Sequence, residues 1–195
     1  MQRILPIALL ALILNTVGLA ADHATVSTAL NYQSLQGGQQ AVIAIVTDIE
    51  PGFHAQSHTP LDENYIPFNV ELVPNPQIDF HPPIFPPGKI EDFPALGKLS
   101  VYTGKVVVYV PIEMKRDAQV GAITISGTVS YQICDDKACY APQKTPITLT
   151  TQVVPAEETV QPNQPELFAG FNPAATTSLS LQALLAQFLL AFVVG

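Results

Sequence analysis

The sequence predicts an all-β protein, an immunoglobulin-like antiparallel β-sandwich, on three observations. Short apolar stretches, alternating or rich in β-branched residues, recur along the chain with turn signals between them, at least six or seven in number. The 18 prolines among 195 residues favour strands joined by irregular loops over long helices. No alternation of strand and helix patterns is visible, and the two cysteines do not form the C-x-x-C at a helix start that marks a thioredoxin pattern. Hydrophobic residues make up 48% of the chain, enough for one core. The formal net charge of -8 argues against nucleic acid as a partner, because no basic patch is present to neutralise phosphates.

The elements follow in order. Residues 1–20 read as a signal peptide. Arg3 supplies the positive start, residues 4–14 the apolar stretch, and Gly18-Leu19-Ala20 the small residues before cleavage. Export places the remainder in an oxidising compartment, where a cysteine pair persists as a disulfide. The sandwich is expected over residues 21–155. It opens with a short edge segment, Tyr32-Gln33-Ser34-Leu35, and a turn at Gly37-Gly38. Residues 41–49 (AVIAIVTDI) form a strong strand, Glu50-Pro51-Gly52 a turn, and Phe53-His54-Ala55 the start of another strand.

His54 and His58 lie four apart, a spacing that holds a metal when it falls on a helix. Pro51, Gly52 and Pro60 bracket the segment against helix, and no third ligand is near. They read as loop or core histidines, and no metal site is assigned. Residues 66–72 (IPFNVEL) alternate as a strand. Residues 74–94 hold seven prolines and read as a long, stiff loop, either a lid or a plain crossover between sheets. Phe80, Phe85 and Phe93 are the apolar groups it can press onto the fold.

Residues 100–112 carry a strand, with a bulge or turn at Gly104-Lys105, and residues 113–119 a polar connector. Residues 120–133 are the longest alternating run, interrupted at Gly127, and residues 145–154 close the domain. Residues 156–178 read as a flexible linker, polar and proline-containing. Residues 179–195 are almost continuously apolar and are expected to begin a transmembrane helix, the chain being a fragment of a longer membrane protein. The alternative is an amphipathic helix lying on the domain.

The chemistry concentrates in residues 131–142, YQICDDKACYAP, which contain both cysteines. Asp-Asp-Lys-Ala is a plausible reversal, because Asp initiates turns through its own side chain. The segment therefore reads as a hairpin tip carrying a dithiol or a disulfide. A disulfide closing so short a loop contributes little to stability, on the order of 2 kcal/mol. Spacing alone leaves two readings open, a redox pair and a local clip. Exchange requires a thiolate. Asp135 and Asp136 disfavour one on Cys134, whereas Lys137 favours one on Cys139, which makes Cys139 the better nucleophile. Tyr131 and Tyr140 flank the pair, either packing round the sulfurs or serving as strand residues.

This segment resembles the Y-Q-x-C…C-Y-x-P motif of the N-terminal periplasmic domains of the DsbD thiol:disulfide interchange proteins, ScsB-like relatives included. PGFHAQS at residues 51–57 and LGKLSVYTGKVVVYVPI at residues 96–112 are supporting matches. The resemblance implies a catalytic pair in which Cys139 attacks a partner disulfide and Cys134 resolves the mixed disulfide. It implies a cap over the cysteines, matched here by Glu91-Asp92-Phe93 with Phe93 as the shielding aromatic. It further implies a protein-disulfide reductase in the bacterial inner membrane that needs no cofactor in this domain. Electrons would arrive from downstream membrane and thioredoxin-like domains and pass to thioredoxin-fold periplasmic partners, such as disulfide isomerases and cytochrome c maturation thioredoxins. Two other classes remain open: a periplasmic binding or assembly module with a structural disulfide, and a copper-handling domain using the cysteines and histidines.

Overall fold

The computed structural model describes residues 22–171. In order these form β1 (Ala24–Leu30), β2 (Leu35–Gln36), β3 (Gln40–Ile49), β4 (His54–Gln56), β5 (Asn69–Leu72) and β6 (Ile78–Phe80). There follow β7 (Lys89–Phe93), β8 (Gly97–Tyr102), β9 (Lys105–Met114), β10 (Gly121–Tyr131), β11 (Ile133–Cys134), β12 (Gln143–Val154) and the short helix α1 (Pro165–Phe168). The strands make three sheets, ordered β1-β3-β9-β6, β2-β12-β10-β5 and β11-β4-β8-β7. Every named pairing is antiparallel except the short one between β12 and β2.

Alternation decides what the two larger sheets bury. On β9, Val106, Val108, Val110, Ile112 and Met114 point inward. On β10, Ile123, Ile125, Val129 and Tyr131 do the same. With Ile43 and Ile45 of β3 and Phe68 before β5 they form one apolar cluster, the core of the expected sandwich. Burying one such side chain removes about 1.5–3 kcal/mol of exposed apolar surface energy. The run through residues 120–133 is not interrupted at Gly127. Instead the antiparallel pairing with β5 begins there, with Leu72 opposite Gly127, and a Cβ on that glycine would sit 2.5 Å from the Glu71 carbonyl oxygen.

Several expected elements are corrected. The opening segment contains a full strand, β1, paired along β3 from Ala24 to Leu30. Its polar and small residues hid it. The strand expected over residues 66–72 is confined to Asn69–Leu72, because Pro67 stands where the ladder would have to begin. The proline-rich stretch is not a plain loop, since it contains β6 and β7. Both are edge strands, with β6 against β9 and β7 against β8, and Pro82, Pro83, Pro86, Pro87 and Pro94 all fall outside them. The run over residues 100–112 is two strands. β8 ends at Tyr102 in the small sheet and β9 begins at Lys105 in a large one. The change of sheet falls at Thr103-Gly104, where Gly104 has φ +60° and its carbonyl accepts from the Ile49 amide.

Residues 156–171, the start of the expected linker, follow the surface of the sandwich. Asn163 donates to the Leu30 carbonyl, Gln36 donates to the carbonyls of Pro155 and Glu158, and the Tyr109 hydroxyl donates to that of Leu167. Among the described residues no helix is long and apolar enough to cross a membrane. The expected signal peptide and the expected membrane segment at 179–195 lie outside the described residues.

Candidate functional site

β10 and β12 run together until Tyr131 pairs with Gln143. Beyond that rung the hairpin tip leaves the large sheet. Gln132 breaks the strand, and Ile133 and Cys134 turn onto β4, where Cys134 stands opposite His54. The tip is a tight reversal. The Asp135 amide donates to the Ala138 carbonyl, and the Tyr140 amide to the Ile133 carbonyl. Between these two bonds Cys134 and Cys139 face each other as a close pair, Cα–Cα 3.9 Å, and their sulfurs are joined as a disulfide.

The Asp135 side chain organises the turn as the sequence predicted. Its Oδ1 accepts from the amides of Lys137 and Ala138, each at 2.8 Å, and its Oδ2 accepts from the Tyr140 hydroxyl at 2.9 Å. Those two amides, then the phenol, hold the Asp135 carboxyl below the usual carboxylate range. The same bond pushes the Tyr140 phenol above its ordinary value. Asp136 and Lys137 are exposed at the tip. Tyr131 is placed differently. It is fully buried in the core against Phe68, with its hydroxyl bonded to Thr145, so it belongs to the sandwich and not to the surroundings of the sulfurs.

The two sulfurs differ in environment. Cys134 is completely buried, whereas Cys139 is partly exposed. The buried side is built by the small sheet. Phe93 at the end of β7 is 8% exposed and stacks on the His54 imidazole, ring centroids 4.1 Å apart. The β7–β8 hairpin reverses through Pro94-Ala95-Leu96, with the Leu96 amide donating to the Phe93 carbonyl and Gly97 at φ +78°. The chain entering β7 passes close over Ser57 and Ser100 because residue 88 is glycine. A Cβ there would stand 2.2 Å from the Ser100 Oγ and 2.7 Å from the Ser57 Cβ. Beneath it Gln56, wholly buried, directs its amide Nε2 at the Cys134 sulfur from 3.9 Å.

The structure therefore brings Cys134, Cys139, Asp135 and Tyr140 together, and Phe93 joins them through its stack on His54, which stands opposite Cys134. It also places there two residues that sequence reasoning did not assign, His54 and Gln56. A signal for them existed: in FHAQS they alternate on one face of a short strand, and polar side chains at two such buried positions need a partner. His58 lies apart from the pair, stacked on Phe85 at 3.6 Å with its Nδ1 against the Phe68 carbonyl. The two histidines thus serve separate contacts. Among the described residues no group of three or more His, Cys, Asp or Glu side chains is arranged to hold a metal.

On the exposed side, His23 stacks on Phe53 at 3.7 Å, and Tyr140 leans over both rings. A partly exposed Cys139 next to Tyr140, with Cys134 sealed away, is an arrangement in which a disulfide can meet another protein.

No curated protein matches the chain. Among solved structures, the N-terminal domain of DsbD from Neisseria meningitidis in its reduced form is 16% identical with a TM-score of 0.38, covering 66% of this chain and 90% of that one. The N-terminal periplasmic domain of ScsB from Proteus mirabilis is 20% identical with a TM-score of 0.44. It covers 68% of this chain, which spans about half of that structure, 47%. The family model described as thiol:disulfide interchange protein DsbD, N-terminal, matches residues 20–151, which include the whole cysteine hairpin and the sheet beneath it. With its disulfide at the hairpin tip and that match over most of its length, the chain belongs to the DsbD N-terminal domain family and fits a thiol–disulfide exchange domain.

Proposed function

We propose that this domain is the periplasmic outlet of a membrane-bound protein-disulfide reductase, and that Cys134 and Cys139 hand electrons to exported partner proteins. The observation that carries the reading is the unequal burial of the pair. Cys139 is the sulfur a partner can reach, so it attacks the partner disulfide. Cys134, held behind it, then closes on Cys139 and releases the reduced partner. Phe93 is the cap on the sealed side. The partly exposed His23 and Phe53 rings and the exposed Tyr140 ring suit a thioredoxin-fold partner held briefly by a mixed disulfide. Residues 1–20 serve as the export signal, 21–155 as the exchange domain, 156–178 as the linker and 179–195 as the start of the membrane anchor. Electrons reach the pair from downstream membrane and thioredoxin-like domains.

The test is the redox equilibrium of the pair in a glutathione buffer. A midpoint of roughly -200 to -270 mV is expected, the range of catalytic thiol–disulfide couples. A midpoint below about -300 mV, where structural disulfides lie, overturns the reading and leaves a local clip. Capture of a partner disulfide by the Cys134→Ala variant, through Cys139, then assigns the two roles.

A further inference from the structure

The sealed side of the disulfide contains more chemistry than a cover requires. His54 and Gln56 alternate on the same face of β4, and His54 stands directly opposite Cys134 in the β11–β4 register. Side chains opposed in this way have Cβ atoms about 4.5–5.5 Å apart and share one face of the sheet. His54 is 2% exposed and Gln56 is 0% exposed. Yet the His54 Nε2 and the Gln56 Oε1 have no hydrogen-bond partner. Buried polar atoms are almost always paired, and two unpaired ones on the strand opposite Cys134 call for a reason.

Resting on the exchange function proposed above, we propose that His54 takes the Cys134 proton and Gln56 steadies the resulting thiolate, so that the buried cysteine can resolve the mixed disulfide. Cys134 is the sulfur least able to ionise unaided, being out of water and next to Asp135 and Asp136. The reduced pair, charged by a dithiol donor, carries a Cys134 thiol and a Cys139 thiolate. Cys139 attacks the partner disulfide, a Cys139–partner bond forms, and one partner thiolate leaves. The Cys134 thiol gives its proton to the His54 Nε2, and the thiolate, held by the Gln56 amide, attacks the Cys139 sulfur. The Cys134–Cys139 bond forms as the Cys139–partner bond breaks. The second partner thiolate leaves and takes the proton from the imidazolium. The partner gains two electrons and the pair becomes the disulfide.

The groups facing His54 suit this role. Burial lowers its proton affinity, so it rests neutral and ready to accept, while Asp136 and Asp135 of the cysteine loop and Glu91 of β7 favour the transient imidazolium. Phe93 covers the ring and excludes water.

The experiment uses the reduced chain and an aromatic disulfide, dithiobis-nitrobenzoate, which releases one coloured thiolate when Cys139 attacks and a second when Cys134 resolves. In the native chain the second phase levels off in the neutral range, where His54 is already unprotonated. In His54→Gln the first phase is unchanged. The second is slowed roughly a hundredfold and climbs tenfold per pH unit, as unassisted thiol ionisation does. Gln56→Met slows the second phase and keeps the native pH profile. A native second phase that climbs steadily with pH overturns the proposal, whether or not the variants fold. So does a His54→Gln second phase of native rate and profile. Failure of the exchange function itself looks different: no first phase, or a pair that a dithiol does not reduce.

Discussion

The large sheets and the small sheet solve opposite problems. In β3, β9 and β10 the inward positions are almost all apolar, and the polar side chains face out. Five polar residues are buried among the described residues: Thr47, His54, Gln56, Ser57 and Ser100. Four of the five lie on or beside β4 and β8, the strands under the disulfide. Stability is concentrated in the apolar faces of the large sheets and chemistry in the small one, where two unpartnered polar atoms, His54 Nε2 and Gln56 Oε1, share the strand opposite Cys134; the other two among the described residues, Thr47 Oγ1 and Gln143 Oε1, lie on β3 and β12.

Changes in each region should therefore separate stability from reactivity. The largest loss of stability is expected from Ile45→Ala on β3, which empties a fully buried position at a cost of about 2–5 kcal/mol by denaturant titration, with the redox midpoint unmoved. Next is reduction of the disulfide. It closes a loop with a sequence separation of only 5, so its loss is expected to cost about 2 kcal/mol and leave the strand signature of the circular dichroism spectrum intact. If reduction unfolds the chain, the division between the two regions fails.

Phe93→Ala acts on the small sheet alone. It removes the ring stacked on His54, and reduction of the disulfide by dithiothreitol is expected to run several-fold faster, with less loss of stability than Ile45→Ala causes. An unchanged reduction rate removes Phe93 as the cap. A pH series sharpens the contrast further. Burial depresses the proton affinity of His54 below its ordinary value of 6.5. As pH falls through that value the unfolded chain binds a proton that the folded chain resists, so stability present above it is lost below it. The melting temperature should fall on acidification in this window, and His54→Leu should flatten that part of the curve. The smallest effect is expected at the tip. Asp135→Ala frees the Tyr140 hydroxyl, and the phenol should titrate back toward its ordinary 10.0, read by ultraviolet absorbance, with no change in the core.

Most of the large sheets was legible in the sequence, because their signal is local. The alternation of residues 120–133 and the β-branched run at residues 41–49 state their faces within ten residues or so. The edge strands were less legible. β1 alternates only weakly, with Ala24, Val26, Thr28 and Leu30 on one face and Thr25, Ser27 and Ala29 on the other, and β6 and β7 are short strands between prolines, so their pairing depends on partners that local pattern does not name. The same holds within the site. Cys134, Cys139 and the Asp135 turn could be read from twelve consecutive residues, and Phe93 followed from the family resemblance.

An all-β sandwich and a cysteine pair in a short reversal with its own turn residue follow from local pattern. Which sulfur is sealed and which is open, and what stands beside the sealed one, depend on how distant strands pair. Gln56 meets Cys134 across 78 residues of chain, and His54 becomes a buried, neutral neighbour of a sulfur only when β11 leaves the large sheet and pairs with β4. That event is a non-local strand pairing. It changes a histidine's solvent and its neighbours, and those two quantities decide whether the imidazole is a surface group or a proton acceptor.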